Sequence, residues 1–113
     1  MAEQMACDFL KAKGLRIIEK NFRTRRGEID LIMQDNETLV FVEVRYRRQN
    51  RFGGPEETIT ASKCARILSA ATTWLQEHHG GQEPPARFDA ITLTPDVDAK
   101  YGYRIHWLKN IIQ

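Results

Sequence analysis

No apolar run in this 113-residue sequence approaches the roughly 20 residues that a membrane-crossing helix needs. No membrane span is expected. No basic leader followed by an apolar core opens the chain, so the expected compartment is the cytoplasm. Cysteine is scarce: Cys7 and Cys64 are the only two. They show no metal-type spacing and both fall in predicted helices, so reduced thiols are expected rather than a structural disulfide. Histidine is scarce as well. The adjacent His78 and His79 lack a cysteine or a spaced third ligand, and they read as a helix terminus, where the dipole favours them. Neither sign of charge dominates: 17 Lys and Arg stand against 15 Asp and Glu. No internal repeat or linker is visible. A content of 42% hydrophobic and 28% charged residues excludes a disordered chain, and the length bounds the protein to one domain, residues 1–113.

The basic residues are unevenly placed. Arg16, Lys20, Arg23, Arg25 and Arg26 crowd the approach to one strand-like run, and Arg45, Arg47, Arg48 and Arg51 follow the next. Basic clusters that bracket an acidic pocket suit a phosphate-rich polymer, although Arg-rich loops also serve as ordinary solvated surface. Arg23, Arg25, Arg26, Arg47, Arg48 and Arg51 are the candidate nucleic-acid contacts.

Between those clusters lie two β-rich runs, Glu28 to Met33 and Thr38 to Tyr46, separated by the turn-type sequence Gln34-Asp35-Asn36-Glu37. They read as a hairpin. Alternate residues of a strand share a face. Glu28, Asp30 and Ile32 therefore share one face of the first strand, and Phe41, Glu43, Arg45 and Arg47 share one face of the second. Val40, Val42 and Val44 face the other way, toward a core. A carboxylate in an otherwise buried strand is costly to desolvate unless a cation answers it. Asp30, Glu43 and Arg45 together suit a hard divalent ion and a phosphate, because Mg²⁺ binds through one or two carboxylates plus phosphate oxygens. The same residues also suit plain cross-strand ion pairs that stabilise a sheet.

These pieces carry a resemblance. Gly14-Leu-Arg-Ile-Ile-Glu-Lys-Asn21, Gly27-Glu-Ile-Asp-Leu-Ile, Phe41-Val-Glu-Val-Arg, Gly53-Gly54, Lys63 and Arg87-Phe-Asp cover nearly the whole chain in order. The sequence resembles the YraN-like family of small bacterial proteins, whose strands are similar to Holliday-junction resolvases within the restriction-endonuclease-like, or PD-(D/E)XK, superfamily. The resemblance implies a metal-dependent DNA endonuclease using Mg²⁺ or Mn²⁺, with the metal on Asp30 and Glu43 and a helical acid falling on Glu3. Glu3 sits at the edge of its helix, where it can equally interact with the macrodipole. The motif's basic residue falls on Arg45, where the superfamily has Lys; Arg does not deprotonate but still clamps a phosphate. Some superfamily members carry the basic residue on the following helix, which points to Lys63. A cation in a helix's first turn is electrostatically unfavourable, which also hints at a task elsewhere. The arginine favours an alternative, a non-catalytic nucleic-acid-binding module. A third reading is a partner-binding domain without nucleic acid. A resolvase-like enzyme also implies a homodimer.

The remaining elements follow from periodicity. Ala2 to Lys13 is predicted helical, with Ala2, Met5, Ala6, Phe9 and Leu10 on one face and Gly14 as its cap. Leu15 to Phe22 is a strand, after which Gly27 is expected to relieve the backbone. Arg47 to Glu57 is a polar loop in which Phe52 could offer a stacking group. Thr60 to His78 is the long helix, capped by Thr58 or Thr60, with Cys64, Ile67, Leu68, Ala71 and Leu75 inward and Trp74 beside them. Arg87 to Leu93 is a strand in which Phe88, Ala90 and Leu93 alternate against Asp89 and Ile91. Asp89 is either an outer acid of the site or the structural partner of an arginine. Tyr103 to Leu108 is the last strand. The expected fold is α/β: a restriction-endonuclease-like three-layer sandwich with a mixed central sheet of about five strands flanked by helices, the long helix crossing over to a parallel strand.

Overall fold

The computed structural model describes residues 2–47, 60–80 and 82–112. The element order is α1 (Ala2–Ala12), β1 (Arg16–Arg23), β2 (Glu28–Asp35), β3 (Thr38–Tyr46), α2 (Ala61–His79), β4 (Ala86–Pro95) and β5 (Tyr103–Leu108). The strands form one sheet in the order β1-β2-β3-β4-β5. β3 and β4 are parallel, joined through the α2 crossover, and the other neighbours are antiparallel. The expected α/β architecture with a mixed five-stranded sheet is the observed one.

Each helix covers one face of the sheet. On the α1 side, Ala6, Cys7 and Leu10 pack with Leu31, Met33, Val40, Val42, Ile91 and Leu93. On the α2 side, Ala70, Ala71 and Trp74 pack with Ile32, Leu39 and Phe41. Leu93 thus joins Ile91, not Phe88, because strand parity carries through β4 to Pro95. The stripe of α2 also differs from expectation. Leu68 is exposed, whereas Ala70 and Trp74 are buried. Two alanines let the helix sit close to the sheet, and Trp74 fills the space by meeting Phe41 edge-on at 6.0 Å between centroids. Its indole N–H is satisfied by Glu19 Oε1 at 3.0 Å. His78 stacks on the same indole at 4.1 Å and donates from Nδ1 to the Trp74 carbonyl, which is the helix-terminal role expected for it.

Local chemistry sets the ends of these elements. Gly14 takes φ 101°; its N–H bonds the Lys11 carbonyl and that of Leu15 bonds Leu10, the paired bonds of a Schellman cap. Thr60 caps α2 by accepting from the Lys63 N–H. The β2–β3 turn is tighter than expected. The strands run on to Asp35 and Thr38, because Asn36 takes a left-handed φ of 55°, which Asn tolerates.

Gly27 is needed for a reason other than the one expected. A Cβ there would collide with the Arg66 carbonyl of α2. The turn that launches β2 therefore lies directly against the backbone of α2. Thr24 closes that turn, its hydroxyl accepting from the Arg26 and Gly27 N–H groups.

Candidate metal and phosphate site

The β2–β3 ladder is regular from Asp35–Thr38 to Leu31–Val42 and stops there, while β3 continues in register with β4 to Tyr46. At the point of parting, a side chain takes over the ladder's work. Asp30 Oδ2 accepts the Val44 N–H at 2.7 Å. Burial pushes the Asp30 carboxyl up to about 6. The Val44 hydrogen bond opposes that shift, and the charges of Glu3, Glu28 and Glu43 add to it. A carboxylate held among other acids in a partly desolvated place is one that a cation would relieve.

Glu43 is the second acid. Its Oε1 lies 3.6 Å from Lys63 Nζ and its Oε2 3.6 Å from Arg45 Nε. Both contacts are ion pairs longer than hydrogen bonds. Oε2 is buried and accepts no hydrogen bond among the described residues. Glu28, Asp30, Glu43, Arg45, Lys63 and Arg66 line one cleft of about 240 Å³. The structure thus brings Asp30, Glu43, Arg45 and Lys63 together as expected. Lys63 crosses from the first turn of α2 to reach β3, which accounts for a cation at an unfavourable helix position. Glu3, half-buried in the first turn of α1, acts on Asp30 through its charge.

Among the described residues, no three His, Cys, Asp or Glu side chains converge as a ready-made metal cage. Asp30 and Glu43 offer two carboxylates, which is the share Mg²⁺ ordinarily takes from a protein when phosphate and water supply the rest. The buried Glu43 oxygen, without a hydrogen bond among the described residues, and the desolvated Asp30 carboxyl fit such an ion.

The candidate nucleic-acid contacts divide. Arg25 and Arg26 are exposed on the turn before β2, and Arg23 is exposed with Glu28 3.4 Å from its Nε. Arg47 directly follows β3, its N–H donating to the Leu93 carbonyl at 2.8 Å. Arg48 and Arg51 lie outside the described residues, as do Phe52, Gly53 and Gly54. Asp89 is the partner of an arginine: fully buried, it accepts from Arg87 Nε at 3.2 Å, Trp107 Nε1 at 3.0 Å and the Asn110 N–H at 2.9 Å. Arg87 also bonds Asp35 at 3.0 Å. This network ties β4 to the hairpin and to the chain after β5. Arg66 was not singled out from sequence. It stands three residues after Lys63, the spacing that stacks side chains on one helix face, and that spacing was the available signal.

Fold and site together define an α/β domain with an acid-and-cation cleft where two strands part. The family model described as "Uncharacterised protein family UPF0102" matches residues 2–93, and the chain belongs to that family. It is 49% identical over 109 residues to a UPF0102 protein of Nitrosococcus oceani, covering 96% of this chain and 86% of that one. It is 44% identical to UPF0102 proteins of Nitrosomonas europaea and Coxiella burnetii, covering 96% and 99% of this chain and 87% and 88% of theirs. No helix among the described residues is long and apolar enough to cross a membrane.

Proposed function

We propose that this protein is a metal-dependent DNA endonuclease of the resolvase-like kind, with the restriction-endonuclease-like fold, acting in the cytoplasm as a homodimer. One observation carries the reading. Two partly buried carboxylates, Asp30 and Glu43, face a cleft shared with Arg45 and Lys63, and a buried Glu43 oxygen there accepts no hydrogen bond among the described residues. Asp30 and Glu43 would hold Mg²⁺ or Mn²⁺, with Glu3 adding negative charge nearby. When bound, the ion supplies Lewis-acid polarisation of the phosphate and a more acidic water. The chain's own groups do the rest. The Lys63 ammonium and Arg45 guanidinium offset the charge that grows on the phosphate oxygens as water adds to phosphorus. One ester P–O bond breaks, and the leaving oxygen takes a proton. Lys63 and Arg45 also hold the Glu43 carboxylate from two sides. Exposed Arg23, Arg25 and Arg26 supply contacts to flanking phosphates.

Arg45 favours a second reading, a nucleic-acid-binding module without catalysis, because a guanidinium stands where the superfamily motif has Lys. Lys63 answers that departure by bringing an ammonium to the same carboxylate. The test is incubation of the purified protein with labelled duplex, single-stranded and four-way-junction DNA in Mg²⁺, Mn²⁺ or EDTA, beside Asp30→Ala. Metal-dependent cleavage lost in the variant is expected. Salt-sensitive binding with no cleavage in any metal would establish the second reading instead.

A further inference from the structure

β3 does not end at the cleft. Three residues beyond Glu43, roughly 10 Å along the strand at about 3.3 Å per residue, Tyr46 is 55% exposed. Its ring lies tilted against Tyr103 of β5, with centroids 5.5 Å apart. Tyr46, Arg47, Pro95 and Tyr103 line a hollow of about 270 Å³ at this end of the sheet. The platform is anchored to the sheet: the Arg47 N–H donates to the Leu93 carbonyl and Tyr46 is in register with Leu93 itself. A single exposed apolar side chain needs no explanation. An exposed aromatic backed by a second ring, on the strand that carries the acid-and-cation cleft, is a different case.

Strand parity supplies the decisive constraint. Glu43 and Arg45 point to the α2 side of the sheet, and Tyr46 points to the opposite side. A nucleic acid with its phosphate beside Arg45, Lys63 and Arg66 must pass over the end of the sheet to bring a base onto Tyr46. That base is splayed away from its neighbours, which an uninterrupted duplex does not permit without unstacking.

We propose that Tyr46, backed by Tyr103, is a stacking platform for an unpaired nucleobase of the strand whose phosphate lies in the Arg45–Lys63 cleft. The preferred substrate is then nucleic acid with unstacked bases at the cleft. This deepens the phosphate-site reading above and rests on it. Base–aromatic stacking is sequence-tolerant and strong enough to read out by substitution.

The experiment measures anisotropy of a labelled single strand, the same strand with abasic positions, and the matching duplex. Titrations in EDTA use wild type, Tyr46→Phe and Tyr46→Ala. Tyr46→Ala is expected to weaken single-strand affinity about 5- to 100-fold and to leave duplex affinity within about twofold, while Tyr46→Phe retains binding. The abasic strand should bind wild type as weakly as the intact strand binds Tyr46→Ala. Equal single-strand affinity of Tyr46→Ala and wild type overturns the platform, as does a variant that instead changes oligomeric state in sedimentation. Cleavage is scored separately. Metal-dependent cleavage with binding indifferent to Tyr46 overturns the platform and keeps the nuclease. Tyr46-dependent binding without cleavage in any metal keeps the platform and overturns the nuclease. Absence of all binding overturns both.

Discussion

Asp30→Asn should make this protein more stable and remove its metal response. The wild-type carboxyl is pushed from 3.8 up to about 6 by burial and by neighbouring acids. At about 1.4 kcal/mol per pKa unit, that shift corresponds to a ceiling of about 3 kcal/mol. Partial exposure to water reduces it to about 1–2 kcal/mol. The sign follows from proton counting. Between pH 3.8 and about 6 the folded state holds the Asp30 proton more often than the unfolded state, so stability falls as pH rises through that window. Above it the full cost of the buried charge is present, and below it the cost is absent. Asparagine does not titrate, and its Oδ1 can still accept the Val44 N–H. In EDTA, urea unfolding should therefore show the two proteins converging toward about pH 4, with the variant ahead by about 1–2 kcal/mol near pH 8. Mn²⁺ at about a hundred times its dissociation constant should stabilise the wild type by about 2.7 kcal/mol and leave the variant unmoved. The order then reverses. Parallel curves across the pH range would refute the desolvated carboxyl, and an equal Mn²⁺ shift in both proteins would refute Asp30 as a ligand.

Three further outcomes follow from the contacts described. Gly27→Ala places a methyl against the Arg66 carbonyl; overpacking of about 1–3 kcal/mol should lower the melting temperature, and an unchanged value would show that α2 can retreat freely. Asp89→Ala removes the acceptor shared by Arg87, Trp107 and Asn110 and should cost about 1–3 kcal/mol by leaving those donors short of a partner while Arg87 keeps Asp35, read as a fall in the urea midpoint. Lys63→Ala removes a half-exposed ammonium, so thermal stability should hardly change while the cleavage rate falls about 10²-fold or more; cleavage at the wild-type rate would remove Lys63 from the site.

The elements themselves were legible in the chain, because local chemistry sets them. Gly14 caps α1, Thr60 caps α2, and alternating apolar residues mark β2, β3 and β4 within a residue or two of their bounds. Strand parity also put Asp30, Glu43 and Arg45 on one face, since a period of two needs no tertiary information. Which face of α2 is buried was less legible. Leu68 and Ala70 compete for the stripe by hydrophobicity, and only close packing of Ala70 and Trp74 on Phe41 decides it. Gly27 shows the same limit: its requirement comes from Arg66, 39 positions away, so nothing local reveals it. The state of Asp30 was less legible, because burial sets it first and two of the three acids that add to it, Glu3 and Glu43, stand on other elements. Sequence alone determined which acids and bases this protein can bring to one edge of a sheet. Tertiary structure decided that β2 and β3 part at Asp30, that Lys63 and Arg66 close the cleft from another element, and that Tyr46 stands on the far side. Those are long-range contacts, fixed by packing rather than by any residue's neighbours in the chain.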